Sequence, residues 1–189
     1  MKIAAIIPVH NEAWNIRRII YNLLYVQDYR NHQLNRIIVV CSGCTDGTDG
    51  IVKEIAEKNG KVYPIVENAR HGKTHALNMA IKALENDAKE AEVVVFLSGD
   101  VVPQRFSLEK LTSILQDPSV GCAIAHPIPL NSKRKLCGKL VNMLWSLHDE
   151  MNHFGWHKVT GEMFAVKRSI LEEMPDNVIN DDLYIEYLI

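Results

Sequence analysis

Apolar runs alternate along the chain with segments of helical periodicity. Lys2 to Val9 is an almost continuous apolar stretch rich in isoleucine, as expected of a strand buried on both faces of a parallel sheet. Apolar positions Ile16, Ile19, Ile20, Leu23 and Leu24 then fall at helical spacing. Arg36 to Cys41 reads as a second buried strand, Asp46 to Lys58 as a helix stopped by Asn59-Gly60, and Lys61 to Val66 as a third strand. Gly72 to Lys89 carries Ala76, Leu77, Ala80, Ile81 and Leu84 on one helical face, and Glu92 to Leu97 is a fourth buried strand. Strands and helices in this alternation predict right-handed βαβ units, hence an α/β fold with a doubly wound, mostly parallel sheet flanked by helices.

The rhythm changes after Asp100. Ser107 to Gln116 is predicted helical, Val120 to His126 a strand, and Leu136 to Met151 a long amphipathic helix behind the basic residues Lys133, Arg134 and Lys135. Val159 to Val166 is strand-like and Arg168 to Met174 a short helix. With 189 residues the chain reads as one domain, residues 1–100 forming a nucleotide-binding half and residues 101–189 an acceptor-side half. It stops at Ile189 inside an apparent helix, so we expect truncation before a following segment, one candidate for which is membrane-embedded.

Polar residues collect where the predicted strands end. Pro8-Val9-His10-Asn11-Glu12 follows the first strand, Cys41-Ser42-Gly43-Cys44-Thr45-Asp46-Gly47 the second, and Ser98-Gly99-Asp100 the fourth. In an open parallel sheet these ends share one rim, where ligands bind. Each cluster also has a plain structural explanation. Asn11 and Glu12 suit a helix cap, Gly43 and Gly47 suit turns, and Asp100 suits a cap or a loop brace. Lys73 follows Gly72 at a helix start, which fits a solvated charge and equally an anion such as a diphosphate. Neither G-x-G-x-x-G nor G-x-x-x-x-G-K-[ST] follows the first strand, which argues against a dinucleotide fold of the usual kind and against a P-loop nucleotidase.

Composition narrows the classes. Lys plus Arg is 21 and Asp plus Glu is 23, giving a net charge of −2, which argues against a nucleic-acid binder of the usual basic type. No apolar run approaches the roughly 18 residues of a membrane span, and no secretory leader is visible, so a cytoplasmic location is expected. Cys41 and Cys44 form a C-x-x-C, but no second close pair completes a zinc site and no helix opens directly after it, so reduced cysteines are expected.

Six segments together resemble the family 2 glycosyltransferases, which have the GT-A fold. They are I-I-P-V-H-N-E (6–12), I-I-V-V-C-S-G-C-T-D-G-T (37–48), R-H-G-K-T-H-A-L-N (70–78), V-F-L-S-G-D (95–100), T-G-E-M-F-A-V-K-R (160–168) and N-D-D-L-Y (180–184). The resemblance covers essentially the whole chain in the family's order. It implies inverting transfer of a sugar from a UDP- or GDP-linked donor to an acceptor hydroxyl, on a sugar or a lipid-linked acceptor. It implies that Pro8, His10 and Glu12 line the nucleoside pocket. Ser42 stands where an aspartate often reads the base, with Asp46 in the same loop. Lys73 lies beside the nucleotide, and Ser98-Gly99-Asp100 takes the place of a D-x-D motif, with Asp100 as ligand for Mg²⁺ or Mn²⁺. Asp182 matches the general base of an E-D motif and Asp181 its glutamate.

The chain departs from that pattern at Ser98, where the motif's first acid would stand, and at Cys41-Ser42, where an acidic pair is frequent. It contains no Q-x-x-R-W, the element common in processive synthases, so transfer of a single sugar is expected. A positioned carboxylate contributes about 10²–10⁴-fold as general base, and repulsion between Asp181 and Asp182 would raise one pKa. The alternatives are a non-catalytic nucleotide-sugar-binding module and, more distantly, a sugar-nucleotide-forming nucleotidyltransferase. The helix at 136–151 suits either a core-packing cover or an interfacial membrane helix at the cytoplasmic face, with Trp145, His148, His153, Trp156 and His157 clustered around it.

Overall fold

The computed structural model describes residues 1–130, 135–154, 159–175, 178 and 180–189. Lys133, Arg134, Trp156 and His157, singled out above, lie outside them. Among the described residues six strands form one sheet: β1 (Lys2–Val9), β2 (Gln33–Ser42), β3 (Val62–Glu67), β4 (Val93–Leu97), β5 (Cys122–Ile124) and β6 (Met163–Lys167). Their order is β3-β2-β1-β4-β6-β5. The first four are parallel, while β6 runs antiparallel to both β4 and β5. Among the described residues six α-helices complete the fold: α1 (Ile16–Tyr21), α2 (Thr48–Lys58), α3 (Lys73–Asp87), α4 (Ser107–Ile114), α5 (Leu136–His153) and α6 (Asp181–Leu188).

The sheet is covered on both faces. Successive side chains of a strand point to opposite sides. From β1, Ile3, Ala5 and Ile7 join one core with residues of α1, α2 and α4. Ala4 and Ile6 join the other, with α3, Phe164 and Ile185. The apolar runs are continuous for this reason. The Phe96 and Phe164 rings stack at 4.8 Å across β4 and β6, a contact worth roughly 0.5–1.5 kcal/mol beyond its buried area.

The direction of β6 matters most for the rim. Met163 pairs with Leu97 and Lys167 with Val93. The start of β6 therefore lies at the end of β4, and the Ser98 amide donates to the Glu162 carbonyl at 2.9 Å. Thr160-Gly161-Glu162 is thereby delivered to the edge where the parallel strands finish.

Several elements differ from their expected extent. The first helix is α-helical only to Tyr21 and widens into a π turn over Asn22–Val26. Asn22 is buried there, donating to the Pro103 carbonyl (3.0 Å) and accepting from Gln27 Nε2 (2.8 Å). The strand expected from Val120 contracts to Cys122–Ile124, and the one expected from Val159 begins at Met163, past Gly161.

No helix forms over Arg168 to Met174; residues 168–170 make a turn and extended chain follows. Partners outside the segment hold backbone groups at both of its ends, among them the Met174 N–H that a helix would need. Arg168 N donates to Glu92 O (2.8 Å), and the Asn78 side chain grips Met174 at both its N–H (2.9 Å) and its C=O (2.7 Å). Pro175 also disfavours helical geometry at the residue before it.

Helix α5 does not pack as a core cover. Leu136, Leu140, Met143, Leu144, Leu147 and Met151 are all exposed, Leu136 to 73%. Among the described residues, no helix is long and apolar enough to cross a membrane.

Candidate active site

Strand order reverses between β1 and β4, since the chain winds outward from β1 to β3 and then returns to β1's other side. A crevice at such a switch point is the usual ligand site of an open parallel sheet. Pro8, Lys73, Ser98, Gly161 and Asp181 line a narrow cleft there together with the floor residues Leu77, Phe96, Leu97 and Phe164. A larger concavity of about 370 Å³ lies at the opposite end of the sheet, among Gln33, Arg36, Lys61 and Lys89. It gathers none of the strand-end motifs, so we assign the site to the narrower cleft.

The loops after β1 and β2 are stitched together. Asn11 adopts a left-handed conformation (φ 57°), tolerated by asparagine, and its Oδ1 accepts from the Thr45 amide at 2.8 Å. The Glu12 amide donates to Thr48 Oγ1 (2.9 Å), and Glu12 Oε2 accepts from Asn15 Nδ2 (2.7 Å). His10 Nδ1–H donates to the Ser42 carbonyl (2.7 Å), while Asn11 Nδ2 donates to His10 Nε2 (3.4 Å). Both oxygens of Asp46 are occupied: Oδ2 by the Ala13 amide (3.0 Å), Oδ1 by the Thr48 amide (3.0 Å) and hydroxyl (2.5 Å). The Thr48 hydroxyl and the Ala13 amide hold its carboxyl below the usual range. The structure thus uses Asp46 as a brace between loops.

Two glycines permit close approach at the rim. A Cβ on Gly99 would meet Val9 Cγ1 at 2.8 Å and Glu12 Cγ at 3.0 Å, so a side chain there would part β4 from β1. A Cβ on Gly161 would lie 2.9 Å from both Lys73 Nζ and Asp182 Oδ2. Gly161 stands within a quoted motif, but nothing in the sequence marks it as the floor beneath an ion pair.

That ion pair is the centre of the site. Lys73 Nζ lies 2.6 Å from Asp181 Oδ2 and 3.4 Å from Asp182 Oδ1. Asp181 and Asp182 open α6, where Asn180 caps the helix by accepting from the Leu183 amide at 3.2 Å. The helix dipole favours both acids in this first turn, so the structural explanation and the clustering at the cleft hold together. Asp181 is buried, and Asp182 keeps 22% of its side chain in solvent. Burial raises the Asp182 pKa; the Lys73 charge opposes this and the neighbouring Asp181 adds to it, leaving a net upward shift. Burial is thus the larger cause of the rise, and the mutual repulsion expected from adjacency adds to it. Desolvation works to lower the Lys73 pKa, but the two carboxylates more than offset it and hold the ammonium charged.

Asp100 follows β4 at the exposed lip of the cleft. Among the described residues its carboxylate makes no hydrogen bond or ion pair, so its oxygens are open to a hard cation. Ser98 is half-buried and offers only a hydroxyl. Ser42 is buried and donates to Glu67 Oε2 at 2.5 Å. Glu67, absent from the expected site residues, thereby places a carboxylate beneath the position where the family often carries an acid. The clue in the sequence was an acid closing an otherwise apolar strand. All four cysteines are free, and burial pushes the Cys41 thiol up to about 12, which keeps it protonated.

Fold and rim together define a GT-A glycosyltransferase domain. Residues 4–174 match the model for glycosyl transferase family 2, and the chain belongs to that family. It is similar to the mannosyltransferase PcManGT from Pyrobaculum calidifontis, solved in complex with GDP-Man and Mn²⁺. The two share 29% identity and a TM-score of 0.70, over 97% of this chain and 50% of PcManGT. Glycosyltransferase AglE of Haloferax volcanii is 28% identical over 118 residues, 62% of this chain and 36% of AglE. Glucosyl-3-phosphoglycerate synthase from Mycobacterium tuberculosis, in complex with Mn²⁺, UDP and phosphoglyceric acid, shares the fold. Its TM-score is 0.60 at 20% identity, over 90% of this chain and 57% of the synthase. The chain therefore spans between 36% and 57% of the lengths of these relatives.

The raised Asp182 pKa has a signed consequence. A carboxyl whose folded pKa lies above its unfolded value contributes stability that is complete below the unfolded value of about 3.9 and is lost as pH rises through the folded value. Asp182→Asn should therefore have a Tm at pH 7 equal to or above that of the parent. The difference should shrink as pH falls toward 4. A variant that loses stability at pH 7 but not at pH 4 would contradict the assigned shift.

Proposed function

We propose that this domain catalyses inverting transfer of a single sugar from a UDP- or GDP-linked donor to an acceptor hydroxyl, with Asp182 as general base. The observation that carries this reading is the Lys73–Asp181–Asp182 cluster above Gly161, at the strand ends where a donor would lie. Residues 1–100 would hold the donor and residues 101–189 face the acceptor. Pro8, His10, Glu12 and Ser42 surround the nucleoside position, with Asp46 bracing their loops, and Ser98-Gly99 borders the diphosphate. Mg²⁺ or Mn²⁺, the latter present in the PcManGT complex, would be held by Asp100 with donor phosphate oxygens and would neutralise charge on the leaving diphosphate.

The protein's own groups then account for the proton and the charge. The acceptor hydroxyl passes its proton to the Asp182 carboxylate as its oxygen bonds to the anomeric carbon. The bond from that carbon to the diphosphate breaks on the opposite side, which inverts the configuration. A base works best with a pKa near the operating pH, and the burial that raises Asp182 moves it in that direction. Lys73 holds both acids in place and supplies a fixed positive charge toward the diphosphate side of the cleft. Because it is charged before the donor arrives, it needs no reorganisation during the reaction.

On the acceptor side, the exposed stripe Leu140, Leu144, Leu147 and Met151 of α5 supports peripheral contact with a membrane that carries a lipid-linked acceptor. Such contact would put the domain at a membrane's cytoplasmic face.

Asp182→Asn should lower kcat by about 10²–10⁴-fold while leaving donor binding intact, and the parent's kcat should rise with pH through a value raised above that of an ordinary Asp. Unchanged turnover would remove Asp182 from the mechanism and favour a binding module. A thermal-shift series with GDP-, UDP- and dTDP-sugars, each with Mn²⁺, with Mg²⁺ and with EDTA, tests the donor and the ion. A donor at 100 times its Kd should stabilise by about 2.7 kcal/mol, or roughly 2–4 °C per kcal/mol for a chain of this size. The shift should vanish in EDTA and in Asp100→Asn. A shift insensitive to both would place the ion elsewhere or nowhere. Leu144→Lys should weaken co-sedimentation with anionic vesicles while leaving turnover on a soluble acceptor analogue intact; equal sedimentation of both forms would exclude α5 as the contact.

A further inference from the structure

Glu67, at the end of β3, is a buried carboxylate whose charge has no permanent counterpart. Its described partners are the Ser42 hydroxyl on Oε2 and two imidazoles on Oε1; no lysine or arginine pairs with it among the described residues. A buried charge is normally paired or bound to a metal. His71 Nδ1 and His75 Nε2 both converge on the same oxygen, the latter at 3.2 Å. The three ligand-type atoms all lie within 4.8 Å of one another, and the two rings sit 5.2 Å apart. Around a tetrahedral ion with bonds of about 2.0–2.1 Å, neighbouring ligand atoms lie roughly 3.3 Å apart. The His75–Glu67 separation already matches that value, and the other separations stay within 4.8 Å.

We propose that Glu67, His71 and His75 form a binding site for a zinc-class divalent ion, separate from the hard-cation position at Asp100. Two imidazole nitrogens and one carboxylate oxygen suit Zn²⁺, Co²⁺ or Ni²⁺, whereas Mg²⁺ and Ca²⁺ prefer all-oxygen shells. A second shell is in place. Ser42 fixes Oε2, so that Oε1 faces the histidines, and the Glu67 carbonyl accepts from the Gly43 amide at 2.8 Å. Both histidines are half-exposed and reachable by an ion. Each coordinating nitrogen must give up its proton, which the other ring nitrogen or solvent accepts. A water or an incoming ligand would complete the shell.

The site also has a mechanical meaning. Glu67 belongs to β3 and His75 to the first turn of α3, with Gly72 between them at φ 105°. Lys73, which holds Asp181 and Asp182, lies between the two histidines in sequence. A bound ion would pin the strand end to the helix start and fix the base of Lys73. This assignment does not depend on the sugar-transfer reading.

Equilibrium dialysis of the chain against Zn²⁺, in millimolar Mg²⁺ to occupy the hard-cation position, should give one saturable ion per chain. Co²⁺ in its place should give a visible absorption band that Zn²⁺ abolishes. His71→Gln and His75→Gln, both at half-exposed positions, should each weaken binding at least tenfold; Cys44→Ser should not. A chelator should reverse a Zn²⁺-induced rise in Tm in the parent and find none to reverse in the histidine variants. No saturable binding, or binding unchanged in both histidine variants, would overturn the site and leave Glu67 as the acceptor of a metal-free imidazole pair. Loss in Cys44→Ser would move the ion to the cysteines and overturn it equally.

Discussion

Strand β1 sends Ile3, Ala5 and Ile7 into one core and Ala4 and Ile6 into the other, and β4 divides its residues in the same way. A sheet covered on both faces leaves its side chains no room for chemistry, so reactive groups can appear only where strands end. The parallel arrangement then makes those ends coincide: His10, Ser42, Glu67 and Ser98 all follow or close a strand at the same edge. Every loop conformation described at the rim is a consequence. The loops after β1 and β2 lie against one another, and Asn11, Asp46 and Thr48 supply the hydrogen bonds that join them.

The rest of the site arrives from the other half of the chain. Antiparallel β6 brings Gly161 to the end of β4, and α6 starts with its two acids above that glycine. Lys73 ties the halves together with an ion pair across 109 positions of sequence. The helix start and the charge of Lys73 offset much of the cost of burying the two carboxylates. Asp182 carries the residual cost as a raised pKa.

Much of the architecture was legible in the residues. Four apolar runs with helical stretches between them mark the parallel core, because two-sided burial writes itself into composition at every position. The second half was harder to read. The turn at Arg168 to Met174 looks helical in pattern, but Asn78, about 96 residues earlier in the chain, takes the backbone groups of Met174; no local signal reports a partner that distant. The amphipathic pattern of α5 is visible in sequence, yet pattern alone does not say whether its apolar stripe faces a core or solvent. At the site, the acids and Lys73 could be named from the motifs they stand in. Their mutual contact could not, since it depends on the antiparallel return of β6. Asp46 shows the converse: a carboxylate in the right loop whose oxygens are both committed to neighbouring amides and a hydroxyl.

Strand β6 has a consequence for how the chain becomes a protein. Without it, β4 would be an open border of five apolar residues, Val93 to Leu97, with unpaired amides and carbonyls. Such a border is a template for adding strands from other molecules. A chain cut before residue 163 would keep every donor-side motif and still present that border. Productive assembly thus waits on Met163 to Lys167, and the strand that follows the floor of the ion pair is also the one that keeps newly made chains from sticking to each other.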